Sequence, residues 1–483
     1  MSNNTSNNNA PTVELQGNIG TFQLVMCVVA LSAPLMTVAG VSPLMMAYGG
    51  NSAPVIFFIV TIILILFSFG FVRTGMHMQN PGGFYSYITA GLGKNVGLGA
   101  AFVSAIGYPF VGFIGSCYFP LVCTEWISQL GGPDVPWWII SIIYLVVIAL
   151  LDMRGVELSV NVMSIVMAIE CLIVIAMDIG CFIHDPGSLS GGSALSFPAL
   201  GNRESMVGLS MIYIFSTFLG FESTVIYREE VREPNKTIPR ATIISVIGIG
   251  VFYAIATWAF ISYYGANNVQ EIAANNIDYL MQDTLVLLFG RIVLDVISVF
   301  IMISMFASTL SVVNVSSRYL YSLGKDGVLP QVLGKAHAKH HSPYISVMVV
   351  CGVYLVVVIC LAIFNIDPVA VYPKVNGIGA FTIMLIMLVA AVAILAYFRK
   401  NQEEVKEESS WYTLIAPILG IIGLALMVYF AVINYGELTG GSAALTVFGL
   451  ALTVAVFVGG IVYAAYLKKA KPDTYARIGR QKL

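Results

Sequence analysis

The chain has 483 residues, 58% of them hydrophobic and 10% charged, with a mean hydropathy of +0.87. Soluble domains carry roughly 25% charged residues, so a water-facing globule has no way to hide this much apolar surface and a polytopic membrane protein is expected. The net charge of −2 excludes the basic surface that nucleic acid requires.

Residues 1–20 are polar and Asn-rich, with no basic segment ahead of a short apolar core. They read as a disordered cytoplasmic tail and not as a cleaved signal peptide. Apolar runs between polar breaks then predict twelve helices, near 21–47, 54–76, 95–123, 136–151, 157–178, 206–227, 238–264, 286–321, 344–364, 371–399, 411–434 and 443–467. The runs are continuous and about 20 residues or longer, the length a helix needs to cross a bilayer, and lack the alternation of barrel strands. The fold class expected is an all-α membrane protein without a separate soluble domain. The seven cysteines (27, 117, 123, 171, 181, 351 and 360) have neither CxxC nor metal-ligand spacing and read as packing residues.

Lys and Arg set the direction. With the N-terminus inside, only Arg203, Arg291 and Lys374 of the 23 basic residues fall outside. Such a bias places both termini in the cytoplasm of a cell (plasma or inner) membrane. If the first five helices form one unit, the next five enter from the opposite face, because five is odd. Two such units would be inverted repeats, the plan of many secondary transporters, with an interrupted helix at the start of each.

Both candidate helices carry a break. Helix 1 reads Leu31-Ser32-Ala33-Pro34-Leu35-Met36-Thr37-Val38-Ala39-Gly40-Val41-Ser42-Pro43, two prolines bracketing a glycine and small polar residues. Helix 6 reads Phe215-Ser216-Thr217-Phe218-Leu219-Gly220-Phe221-Glu222-Ser223. Proline removes a backbone donor and glycine weakens a helix. Freed N–H groups suit a carboxylate and freed carbonyls an ammonium or a cation, and an α-amino acid carries both charges. Simple kinking of a packed helix is the plainer reading of each break alone; the pairing at equivalent positions favours a binding site.

Several fragments resemble the amino acid–polyamine–organocation permeases. They are Phe218 to Glu222 with Glu229 to Ala241, Pro81-Gly82-Gly83-Phe84-Tyr85-Ser86-Tyr87, Asn314 with Ser317 to Pro330, and Tyr397-Phe398-Arg399-Lys400. The resemblance covers most of the first ten helices. It implies a leucine-transporter-type 5+5 inverted repeat over residues 21–400, with two additional helices and a cytoplasmic tail over 401–483, working by alternating access. It places the substrate site at Thr37, Ala39, Gly40 and Ser42 of the helix 1 break and at Phe218, Gly220 and Glu222. Helix 1 departs from the family pattern: the usual Gly-small-Gly is Val38-Ala39-Gly40. The acidic residue common in helix 2 is replaced near Arg73, which bears on gating contacts.

Glu170 lies in the middle of an apolar run, where an ionisable group is costly and usually marks a pathway. Counted from Gly155-Val156-Glu157-Leu158-Ser159, it falls where many family members resembling this chain carry a lysine, between helices 1, 5 and 8. Desolvation favours a neutral carboxyl, so Glu170 suits proton coupling. With Ser308 and Thr309 and helix 1 carbonyls it also suits Na⁺, and a protonated strut between helices is the bland reading. Asp178 reads as a relay or as a helix-end carboxylate reaching water. Glu222 reads as a bridge between the breaks or as a coupling group. Phe218, Tyr108 and Trp126 read as gates or as packing. His337, His340 and His341 form a basic loop without metal-ligand partners, and Glu403 to Glu408 form a charged linker.

No phosphate-binding loop, catalytic triad, metal site or cofactor motif is present, so neither a primary pump nor an enzyme is expected. The function expected is secondary active transport of amino acids or related amines, proton-coupled through Glu170. The alternatives are an amine exchanger, a Na⁺ symporter, and a non-transporting sensor. Partners are the substrate, protons or Na⁺, and the lipid bilayer. No acidic pair marks the pocket, so the sequence favours neither cationic nor neutral substrates, and it assigns no oligomeric state.

Overall fold

The computed structural model describes residues 19–78, 83–154, 160–184, 204–229, 231–337, 340, 342–403, 405–439 and 441–479. Residues 1–18 of the expected tail, Pro81 and Gly82, Gly155 to Ser159, Arg203, Glu230, His341 and Glu404 therefore lie outside the described residues. In chain order the helices are α1 (Thr21–Ser32), α2 (Pro34–Gly40), α3 (Ser42–Gly49), α4 (Ala53–His77), α5 (Gly83–Leu92), α6 (Lys94–Gln129), α7 (Trp137–Met153), α8 (Val160–His184), α9 (Glu204–Thr217), α10 (Pro234–Tyr264), α11 (Val269–Asn275), α12 (Leu280–Phe289), α13 (Arg291–Lys325), α14 (Tyr344–Ile363), α15 (Tyr372–Lys400), α16 (Ala416–Ile433), α17 (Tyr435–Leu438), α18 (Ala443–Ala470) and α19 (Pro472–Arg477). Short 3₁₀ segments occupy Gly50–Ser52, Phe221–Glu229 and Pro368–Ala370, and a π turn, Trp411–Ile415, precedes α16. Among the described residues the one bridge outside helices joins Ile19 to Val231.

Among the described residues, eleven segments are long and apolar enough to cross a membrane. The predicted span near 136–151 forms α7, whose 17 residues reach about 25 Å at 1.5 Å per residue, short of the ~30 Å hydrocarbon layer. The span expected near 286–321 begins instead at Arg291. Gly290, at φ 80°, closes α12 and opens α13, so the residues before it form a separate short helix.

The run near 21–47 is three pieces, for reasons local to its sequence. A proline ring disfavours the helical conformation in the residue before it and brings no N–H of its own. Ala33, ahead of Pro34, accordingly takes the left-handed conformation (φ 48°, ψ 80°). The chain bends again at Val41 (φ −117°, ψ −36°), two residues before Pro43, and restarts as α3.

Packing follows the helical repeat. On α8 the residues Glu170, Val174, Met177, Asp178 and Cys181 are buried, while Ile165, Leu172, Ile179 and Ile183 are exposed. Steps of three and four residues put each set on one face, so the second set forms the apolar outer face that lipid would cover. The long α6 runs through the bundle and packs on α13, α15 and α18. Small residues permit the last approach: a Cβ on Gly460 would lie 2.6 Å from Gly99 Cα. Helix α1 packs on α8 and α10, and α2 on α8 and α13.

At the end of the bundle that holds the chain's last described residues, the segment after α18 folds back. Gly479 N–H donates to Tyr85 Oη (2.8 Å), and Tyr85 Oη donates to Asp326 Oδ2 (3.0 Å). Lys94 Nζ donates to the carbonyls of Tyr475 (3.1 Å) and Ala476 (2.6 Å). Arg73 reaches Glu408 of the charged linker (3.3 Å) and lies over the Tyr412 ring.

Candidate functional site

The helix 1 break exposes backbone groups that neighbouring helices take up. Leu31 carbonyl accepts from Ser308 Oγ (3.4 Å). Ser32 carbonyl accepts from Thr37 Oγ1 (2.6 Å) and from Tyr253 Oη (3.2 Å). Beyond the break, the N–H of Leu35 in the first turn of α2 donates to Glu170 Oε2 (3.4 Å). A carboxyl from α8 thus takes the place of the capping side chain that a helix start ordinarily has.

The second break follows Thr217. Gly220 sits at φ 111°, open to glycine at little cost, and the chain continues as the 3₁₀ segment Phe221–Glu229. Glu222 Oε2 accepts the Gly220 N–H (2.9 Å). Its other oxygen, Oε1, accepts a short hydrogen bond from Tyr108 Oη of α6. Tyr108 in turn stacks on Tyr319 of α13, ring centroids 5.5 Å apart. The two breaks touch: a Cβ on Gly220 would lie 2.6 Å from Leu31 Cβ.

A cavity with about 820 Å³ of empty space, part of it open to solvent, lies between the breaks. Leu31, Ser32, Thr37, Ser216, Gly220 and Glu222 line it from the breaks, Ser308 and Thr309 from α13, and Gly83 and Asn376 also reach it. Of the residues expected at the substrate site, Thr37, Gly220 and Glu222 therefore lie on the cavity, as do Ser308 and Thr309.

Ala39, Gly40, Ser42 and Phe218 do not. The chain breaks at Ala33, before Pro34, so Gly40 lies at the end of α2, where a Cβ would come within 2.8 Å of the Tyr118 ring. Ala39 and Ser42 are buried in the core. Phe218 is buried against Phe57, centroids 6.3 Å apart.

Glu170 is fully buried and lies just behind the helix 1 break. Besides Leu35, its Oε2 accepts from Ser304 Oγ (2.6 Å), while Oε1 has no hydrogen-bond partner. The side chain points into the bundle, away from the lipid face of α8. Ser304 escaped the sequence reading; it stands one turn before Ser308 on α13, a spacing that carries meaning only once α8 is known to face it. Asp178, read as a helix-end carboxylate reaching water, is 4% exposed with Oδ1 unpartnered. It falls on the same inward face as Glu170.

Beyond Ile114 of the cavity wall, Tyr118 of α6 donates to the Asp278 carbonyl (3.1 Å), and Tyr372 Oη donates to Asp278 Oδ1 (3.1 Å). Burial holds the Asp278 carboxyl above the usual aspartate range, against the Tyr372 hydrogen bond that pulls it down. The His337 and His340 rings lie 4.8 Å apart at a tilt of 38°, and among the described residues no group of three or more His, Cys, Asp and Glu is placed to hold a metal ion.

A family model described as "Amino acid permease" matches residues 19–462. The branched-chain amino acid permease BcaP of Lactococcus lactis subsp. cremoris is 24% identical over 59% of this chain and 59% of its own length. The low-affinity putrescine importer PlaP of Escherichia coli (strain K12) is 20% identical over 78% of this chain and 83% of its own length. The methylthioribose transporter of Bacillus subtilis (strain 168) is 23% identical over 68% of this chain and 64% of its own length. The chain thus spans less than two thirds of the first and third of these relatives, and all three are named as carriers.

Proposed function

This chain belongs to the amino acid permease family, and we propose that it is a secondary carrier of amino acids or related amines, coupled to protons through Glu170. The observation that carries the proposal is the contact of two interrupted membrane helices, Leu31 against Gly220, beside a cavity, with an acid bound to the first interruption. Irregular backbone at membrane depth is tolerated where it lines a cavity or is buried in protein. In this reading the breaks begin two inverted five-helix units within 21–400, with α7 and the eleven longer segments making twelve spans. Helices α16 and α18 are the two appended ones. Both termini lie on the cytoplasmic side of the cell membrane.

The proposed cycle follows from the contacts. Substrate enters between the breaks, where Thr37, Gly220, Ser308 and Thr309 meet it. Glu170 acts from behind: its Oε2 is held by Leu35 N–H and Ser304 Oγ, and Oε1 is the atom that takes or releases the proton. Because Leu35 belongs to the first turn of α2, a change of charge at Glu170 alters the hold on α2. That couples protonation to the break. Glu222, held by Tyr108 and Gly220, bridges α6 to the second break.

One observation favours a second reading, Na⁺ at the same position. Oε1 of Glu170 is uncommitted, and the Leu31 carbonyl and Ser308 Oγ lie on the neighbouring elements; oxygen ligands of this kind suit hard cations. Uptake of labelled amino acids into sealed proteoliposomes, with a pH gradient or a Na⁺ gradient imposed separately, distinguishes the two. Counterflow without either gradient identifies an exchanger, and binding without any uptake identifies a sensor.

A further inference from the structure

We propose that the cavity selects monoamino monocarboxylic acids with an uncharged side chain, and that Asn376 is the residue that sets this preference. The inference rests on the carrier reading and narrows its substrate.

Among the described residues the lining contains no Lys, Arg, His or Asp, and Glu222 is its one carboxyl. Both oxygens of Glu222 are already engaged, Oε1 by Tyr108 and Oε2 by Gly220 N–H. Four of the lining hydroxyls donate to backbone carbonyls of the protein itself, and Ser32 Oγ pairs with Tyr253 Oη (2.8 Å). Thr37 bonds Ser32, Ser216 bonds Tyr213, Ser223 bonds Gly220 and Ser308 bonds Leu31. The remaining wall is largely apolar, with Met36, Val41, Val111, Ile114, Val312 and Val315.

Helix ends at the breaks suit one carboxylate and one ammonium. A third charge on the substrate would find no free counter-charge among the described lining residues, and an unpaired charge out of water is costly. One polar side chain among the lining residues stands apart. Asn376 is 4% exposed and its Oδ1 has no hydrogen-bond partner. An amide there accommodates an apolar or a neutral polar side chain and gives an ammonium or guanidinium no charge to pair with. A carboxylate of the same shape would supply that charge.

The test uses the full-length protein in proteoliposomes and direct uptake of a fixed panel. The neutral members are leucine, phenylalanine, alanine, serine and glutamine; the charged members are lysine, arginine, putrescine and glutamate. The expected result is uptake of at least one neutral member, with every charged member weaker by about 100-fold or more in half-saturation. In Asn376→Asp, lysine, arginine or putrescine is expected to improve by at least about tenfold over the wild type. Charged members taken up as well as neutral ones by the wild type overturn the inference and leave the carrier standing. So does an Asn376→Asp protein that still carries neutral members without any gain for cations. No uptake of any member by a monodisperse protein overturns the carrier reading and this inference with it. If Asn376→Asp fails to fold, the wild-type panel decides.

Discussion

Glu170 holds two elements at one atom. Its Oε2 is bound by the α2 backbone at Leu35 and by Ser304 of α13, while Oε1 is free. Glu170→Gln keeps the size and an acceptor for these donors but has no proton to exchange. It is expected to abolish uptake driven by a pH gradient while substrate binding stays within roughly threefold, measured by uptake and by equilibrium binding on the same preparation. Ser304→Ala removes one of the two donors and is expected to destabilise the protein by about 1–3 kcal/mol, read as a lower melting temperature in detergent. Glu170 was legible in the sequence because a lone acid inside an apolar run has few explanations. Ser304 was not, because hydroxyl residues are ordinary in membrane helices and only the facing helix gives this one a task.

At the scale of elements, the irregularity of helix 1 was legible but not the points at which the chain turns. The glycine and two prolines suggested irregular backbone within Leu31 to Pro43. It falls at Ala33, since proline acts on the residue before it, and again at Val41, while Gly40 between them serves for close approach to Tyr118. The second break fell where expected because Gly220 supplies a conformation that other residues resist. Gly220→Val combines a strained backbone with a side chain driven into Leu31 and is expected to eliminate substrate binding; unchanged affinity would mean that the site lies elsewhere. The segment after α18 was read from the sequence only as a tail, yet it ties Lys94 and Tyr85 together. Deleting residues 471–483 is expected to speed amide exchange along α5, measured by hydrogen–deuterium exchange, while α10 is unchanged. The turn that carries Asp278 between α11 and α12 responds to pH. Its carboxyl titrates above the ordinary aspartate value, so in the window between the two the folded state binds more protons than the unfolded chain. That stabilisation is present at acid pH and is lost as the pH rises through the raised value. Asp278→Asn is expected to flatten this part of the melting-temperature profile.

For the whole molecule, composition alone gave the membrane class, since a chain with 10% charged residues has little to offer water. The helical class followed from continuous apolar runs. Segmentation was less legible: helix 1 divides at its prolines, α7 stops at 17 residues, and α12 separates from α13 at Gly290. The two irregularities that the sequence paired by position, the fold brings into contact at Leu31 and Gly220, with Glu170 bound to the first of them. The most direct test is uptake of a neutral amino acid panel into sealed proteoliposomes under an imposed inward pH gradient, wild type beside Glu170→Gln. Accumulation by the wild type that collapses with a protonophore, and none by the variant although it still binds substrate, is the expected result. Equal gradient-driven accumulation by both proteins would contradict coupling through Glu170.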